Sequence, residues 1–114
     1  FLNNYSEFFF DFDSYEVDNS QRKNITSLSK ILMKYEYLKI NIDGHASSEG
    51  ESDYNMLLSN RRSTSIKNSL IQDGINDSRL SLKAFGEDLP NYAEMPLSER
   101  KKNRRVIISV NMDL

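Results

Sequence analysis

Arg62 occupies a position where a helical pattern calls for an apolar side chain. In LLSNRRSTSIKNSL (57–70), Leu58, Arg62 and Ile66 recur at intervals of four, and residues four apart share one face of a helix. A neighbouring stripe through Leu57 and Leu70 is expected to carry part of the packing. A guanidinium at the edge of a core is expensive unless something accepts its N–H groups, so Arg62 should hold a carboxylate, a backbone carbonyl or a ligand. The internal reading is a salt bridge to Asp43, Asp13 or Asp11, or a stem that packs while the head reaches water. The other reading is capture of a ligand carboxylate, which the planar arginine fork suits bidentately.

Other residues with chemical potential gather near the same strand ends. The single histidine, His45, follows Gly44. Alone it makes neither a metal site nor a triad, and no serine stands in a nucleophile-elbow context, so a loop histidine bonded to backbone is the simpler reading. Asp11, Asp13, Asp43, Glu49 and Asp53 include pairs that could do acid/base work. Nothing in their spacing demands it, and solvated loop carboxylates explain them. The run ERKKNRR (99–105) has the composition of an anion-binding patch. It straddles a helix end and a strand start, where cations favour the helix C-terminus and alternate residues face opposite ways.

These residues need elements to hold them. The aromatic run FFFDFD suits a strand of about five residues ending near Phe12. From Asn19 to about Tyr35, Ile25, Leu28, Leu32 and Tyr35 follow helical spacing, with Asp18, Asn19 or Ser20 as the cap. Leu38, Ile40 and Ile42 alternate into a strand closed by Gly44, and the small polar loop HASSEGES feeds a second helix from about Asp53 to Gln72, ended by Asp73 and Gly74. Leu80, Leu82 and Ala84 alternate into a third strand stopping at Gly86, PLSERKK forms one or two helical turns from Pro96, and Val106, Ile108 and Val110 mark the last strand. The order is β, α, β, α, β, short α, β, an α/β architecture with helices on one face of a small mixed sheet.

The 114 residues suffice for one domain, 1–114, with one modest core. A net charge of −2, from 15 basic and 17 acidic residues, argues against nucleic acid as a partner. With no cysteine, disulfides and thiolate zinc sites are excluded. No apolar run is long enough to span a bilayer. The chain starts on Phe1 without an initiator methionine, which reads as a mature or excised fragment of a larger protein.

Six stretches in order, FDFDSYEV, IDGHASSEG, YNMLLSNRR, GINDSRL, AFGEDLP and RKKNRRVIISV, resemble the OmpA-like C-terminal domain. That family includes the peptidoglycan-associated lipoprotein and the periplasmic domains of flagellar stator proteins. The resemblance covers nearly the whole chain. It implies an α+β sandwich, a β-α-β-α-β-β fold with the helices on one side of the sheet. It also implies noncovalent binding of the peptidoglycan peptide stem at its diaminopimelate residue, in the periplasm, as the C-terminal part of an envelope protein. Other envelope proteins are expected partners, any membrane attachment lies in parts outside this chain, and neither catalysis nor a metal nor a cofactor is implied.

Residue by residue, the resemblance gives Arg62 the role of gripping the diaminopimelate carboxylate from the margin of the buried stripe. It places Asp13 and Tyr15 in a groove wall with Ser14, and sets Asn55 in the first turn of the second helix, with Leu58 one turn on. It brings Arg105 of the NRRV signature (Asn103, Arg104, Arg105) toward the site, and aligns Ala46 and Ser47 in the loop before the helix N-terminus, which favours anions. Where the family carries GHTD, this chain reads Gly44, His45, Ala46, Ser47, so a serine replaces the aspartate that pairs with the diaminopimelate ammonium. Either Glu49, Asp43 or Asp13 supplies the missing charge, or the domain is a scaffold of an envelope assembly that has lost peptidoglycan binding.

Overall fold

A computed structural model describes residues 7–11, 14–45, 52–84 and 105–111. Within them lie β1 (Glu7–Phe9), α1 (Asn19–Lys34), β2 (Ile40–Gly44), α2 (Ser52–Gln72), a 3-10 turn (Asp77–Arg79), β3 (Leu80–Ala84) and β4 (Arg105–Val110). The sheet order is β1-β4-β2-β3, with β2 and β3 parallel and β4 antiparallel to both of its neighbours. This is the expected mixed sheet. The short helix expected from Pro96 lies outside the described residues.

The first strand ends at Phe9 rather than near Phe12, and two local interactions stop it. The Gln21 carboxamide accepts from the Phe9 N–H at 2.6 Å and donates to the Phe9 carbonyl, occupying the outward backbone groups of this edge strand. The Ser14 N–H then donates to the Asp11 carbonyl at 3.1 Å, turning the chain.

Of the three cap candidates for α1, Asp18 fills the position, accepting from the Gln21 N–H at 3.0 Å. The Ser20 hydroxyl and the Gln21 amide hold its carboxyl below the ordinary carboxylate range. Ile25, Leu28, Ser29 and Leu32 form the buried face. At the far end Arg79 donates to the carbonyls of Leu32, Tyr35 and Leu38 at 2.7 to 2.9 Å, where a cation suits the helix dipole. α2 closes on Gly74 at φ 100°, with Gly74 N–H to Ile71 O at 2.9 Å and Ile75 N–H to Leu70 O at 3.1 Å. That paired bonding needs a left-handed residue, for which glycine carries no Cβ penalty.

Strand alternation sends Ile40, Ile42 and Gly44 of β2, with Val106 and Ile108 of β4, toward the helices, where the four apolar side chains join Phe8, Phe10, Leu28, Leu32, Ile66 and Leu70 in the core. Asn41 and Asp43 take the opposite face.

Candidate functional site

The inner stripe of α2 is more polar than its neighbours: Asn55, Ser59, Arg62 and Ser63 are buried along with Leu58, Ile66 and Leu70. Leu57, expected to share in the packing, is 44% exposed. The packing is instead carried by close backbone approach. At Gly44 the helix lies directly on β2, with the Ser59 carbonyl where a Cβ would stand. Small serines four residues apart on α2, facing a glycine on β2, permit that contact and bring Arg62 against the strand end.

Arg62 is wholly buried, not at the margin of the stripe, and its head does not reach water. Its Nε donates to the Ser14 carbonyl at 2.7 Å, Nη1 to the His45 carbonyl at 3.2 Å and Nη2 to the Asp11 carbonyl at 3.1 Å. The guanidinium also lies 5.4 Å from the centre of the Phe10 ring. Asp11 and Ser14 belong to the β1–α1 loop and His45 to the β2–α2 loop, so one side chain clasps both. At Asp11 the acceptor is the main-chain oxygen rather than the carboxylate proposed for a salt bridge.

His45 is, as expected, a loop residue bonded to backbone, and it also belongs to this cluster. It is buried, and its main-chain N–H donates to the Arg105 carbonyl at 2.8 Å. Burial, and then the Arg105 charge, lower its pKa to about 4, so the ring is neutral at pH 7. Arg105 is itself 3% exposed and pairs across the sheet with Phe9. Asn55 is also buried, and its Nδ2 has no hydrogen-bond partner among the described residues. A buried amide donor of this kind has a strong preference for an acceptor.

Asn55, Leu58 and Arg62 thus share one stripe, and Arg62 meets His45 through the loops. Tyr15 stands apart, 42% exposed, with the Arg61 guanidinium 5.4 Å from its ring centre and its carbonyl accepting from Ser65 Oγ at 2.7 Å. Asp43 lies on the sheet face away from α2; burial raises its carboxyl pKa and Lys83 opposes the rise. It is therefore neither Arg62's counter-ion nor a substitute for the family aspartate. Asp13, Ala46, Ser47, Glu49, Asn103 and Arg104 lie outside the described residues. Among the described residues no group of three His, Cys, Asp or Glu could hold a metal, and no helix is long and apolar enough to cross a membrane.

Comparison with known proteins adds a family to this geometry. The pattern of the OmpA family matches residues 9–104. A peptidoglycan-associated lipoprotein of Buchnera aphidicola is 30% identical over 88% of this chain and 58% of its own length. Outer membrane porin F of Pseudomonas fluorescens is 33% identical over 89% of this chain and 31% of its own. The chain thus spans little more than half of the first relative and under a third of the second. Among solved structures, the C-terminal domain of Helicobacter pylori MotB superposes with a TM-score of 0.84 at 27% identity, covering 94% of this chain and 84% of that one. The peptidoglycan-associated lipoprotein of Burkholderia pseudomallei gives 0.89 at 24% identity, covering 93% and 90%, a likeness of fold.

Proposed function

Because this chain belongs to the OmpA family, we propose that it is a noncovalent peptidoglycan-binding domain that anchors an envelope protein to the cell wall. It works in the periplasm, associated with the outer membrane and cell wall, and catalyses no reaction. Its ligand is the peptide stem, met at the diaminopimelate residue where the β1–α1 and β2–α2 loops converge on Arg62.

The observation that carries this reading is the convergence of both loops on Arg62, through Asp11, Ser14 and His45, with the buried Asn55 amide on the same helical stripe. Loop ends held at Asp11, Ser14 and His45, with an amide donor beside them, form a preorganised frame for a peptide, which reduces the ordering cost of binding. With Asp43 turned away, Glu49 or Asp13 supplies the charge that Ser47 lacks. One stem is bound weakly, and anchoring strength comes from many copies on one polymer.

One observation favours the scaffold reading: Arg62 is fully enclosed, so a ligand carboxylate reaches it only if the loops part. Isothermal titration with a diaminopimelate-containing muropeptide, beside a lysine-type stem, separates the two. Selective binding supports the anchor; no heat up to millimolar ligand from a folded domain supports the scaffold.

A further inference from the structure

We infer that the cleft between the β1–α1 loop and the outer face of α2 is a second subsite, one that takes the N-acetylated sugar backbone of peptidoglycan. This rests on the peptidoglycan reading above. The cleft has a volume of about 510 Å³, within the roughly 300–1,000 Å³ range of small-ligand sites. Its walls include Tyr15 and Glu16 from the loop, Arg22 from α1, and Ser65, Asn68 and Gln72 from α2.

The chemistry of these walls selects the ligand class. Arg22 and Glu16, the two charged residues that line the cleft, are of opposite sign, so the lining itself carries no net charge. Hydroxyl and carboxamide groups outnumber the one aliphatic side chain, Val17, where a hydrophobic ligand needs a mostly apolar lining. Each carboxamide offers a donor and an acceptor in one plane, which matches a ligand whose hydroxyls both give and accept. The exposed Tyr15 ring, held by the Arg61 guanidinium, adds a flat surface for the C–H face of a sugar. A smaller hollow of about 130 Å³ continues past Arg22 and Gln72 to Ile25 and Asp73, with room for an acetamido group.

Placement completes the argument. Ser14 gives its carbonyl to Arg62, and the next residue, Tyr15, lines the cleft. The two sites share one wall, as a ligand made of a peptide joined to a sugar requires.

The test compares three probes by titration: free stem peptide, disaccharide-stem muropeptide, and glycan chains stripped of stems. Each is measured on the wild-type domain and on the Asn68→Ala/Gln72→Ala double variant, whose changes are at exposed positions. The muropeptide should bind about tenfold more tightly than the stem, the equivalent of one or two added hydrogen bonds, and the double variant should erase that advantage while keeping stem affinity. Equal affinities, or an advantage that survives in the variant, would overturn the subsite. Binding of stripped glycan without stem binding, lost in the variant, keeps the subsite and refutes the stem site; silence from all three probes refutes both.

Discussion

A side chain on Gly44 would begin 2.0 Å from the carbonyl oxygen of Ser59 and 3.3 Å from the Ser63 Cβ. The obstacle is helix backbone, which cannot swing aside. Gly44→Ala must therefore push α2 off the sheet, carrying Arg62 away from its carbonyls. Overpacking of a close contact costs about 1–3 kcal/mol, and the disturbed clasp adds to it. A thermal melt should show a clear drop in Tm; an unchanged Tm would mean that α2 does not sit this close to β2.

Arg62→Lys keeps the charge but replaces a planar fork with a single ammonium that cannot serve three carbonyls in fixed directions. The loss should reach at least about 1.5–3 kcal/mol, the worth of one hydrogen bond to a charged group. That is survivable within the roughly 5–15 kcal/mol stability of a domain. Urea unfolding measures the loss, and amide exchange should speed up across residues 14–17 and at His45. Wild-type stability with wild-type exchange would rule out the clasp.

The neutral His45 ring makes stability depend on pH. Above its ordinary pKa of 6.5 the histidine is uncharged in folded and unfolded chains alike. Between 6.5 and about 4 the unfolded chain takes the proton and the folded one resists it, so stability falls as the pH falls. The full loss, on the order of 3 kcal/mol, is reached below pH 4. Asp43, with its raised carboxyl pKa, acts in the opposite sense: its contribution is present at low pH and lost as the pH rises through the folded value. Urea midpoints measured from pH 7.5 to 4 should decline, and His45→Gln should flatten the decline between 6.5 and 4.

Gln21→Ala removes both bonds to the Phe9 backbone and opens the outer edge of β1. Two hydrogen bonds at about 0.5–1.5 kcal/mol each set the scale of destabilisation. An unpaired edge also recruits other strands, so light scattering should report association that grows with concentration. Gln21→Glu retains an acceptor for the Phe9 N–H but sets a carboxylate against its carbonyl, and should fall between the two.

Much of this architecture was legible because it rests on side-chain periodicity. The α1 stripe, the Leu58, Ile66 and Leu70 stripe, the alternation in β2 and β4 and the Gly74 cap all follow from spacing. What the sequence hid was main-chain geometry. The partners of Arg62 and Arg79 are carbonyls, which every residue carries, so no pattern of residue types marks them. Leu57 looked like core because it is apolar, yet the backbone contact at Gly44 fixes the helix rotation and turns it outward. The available signal was Gly44 together with Ser59 and Ser63, a glycine facing small residues one helical turn apart.

The sheet order has a consequence for how the protein comes into being. β4, the last of the described strands, is second in the sheet, between β1 and β2, and pairs Val106 with Phe8, far away in sequence. Without β4, β1 has no neighbour and one side of β2 is bare among the described residues, so the sheet cannot close from its first end. Contacts this distant in sequence form late and slowly. The sheet of the described residues accordingly keeps an unfilled slot between β1 and β2 until β4 arrives to occupy it.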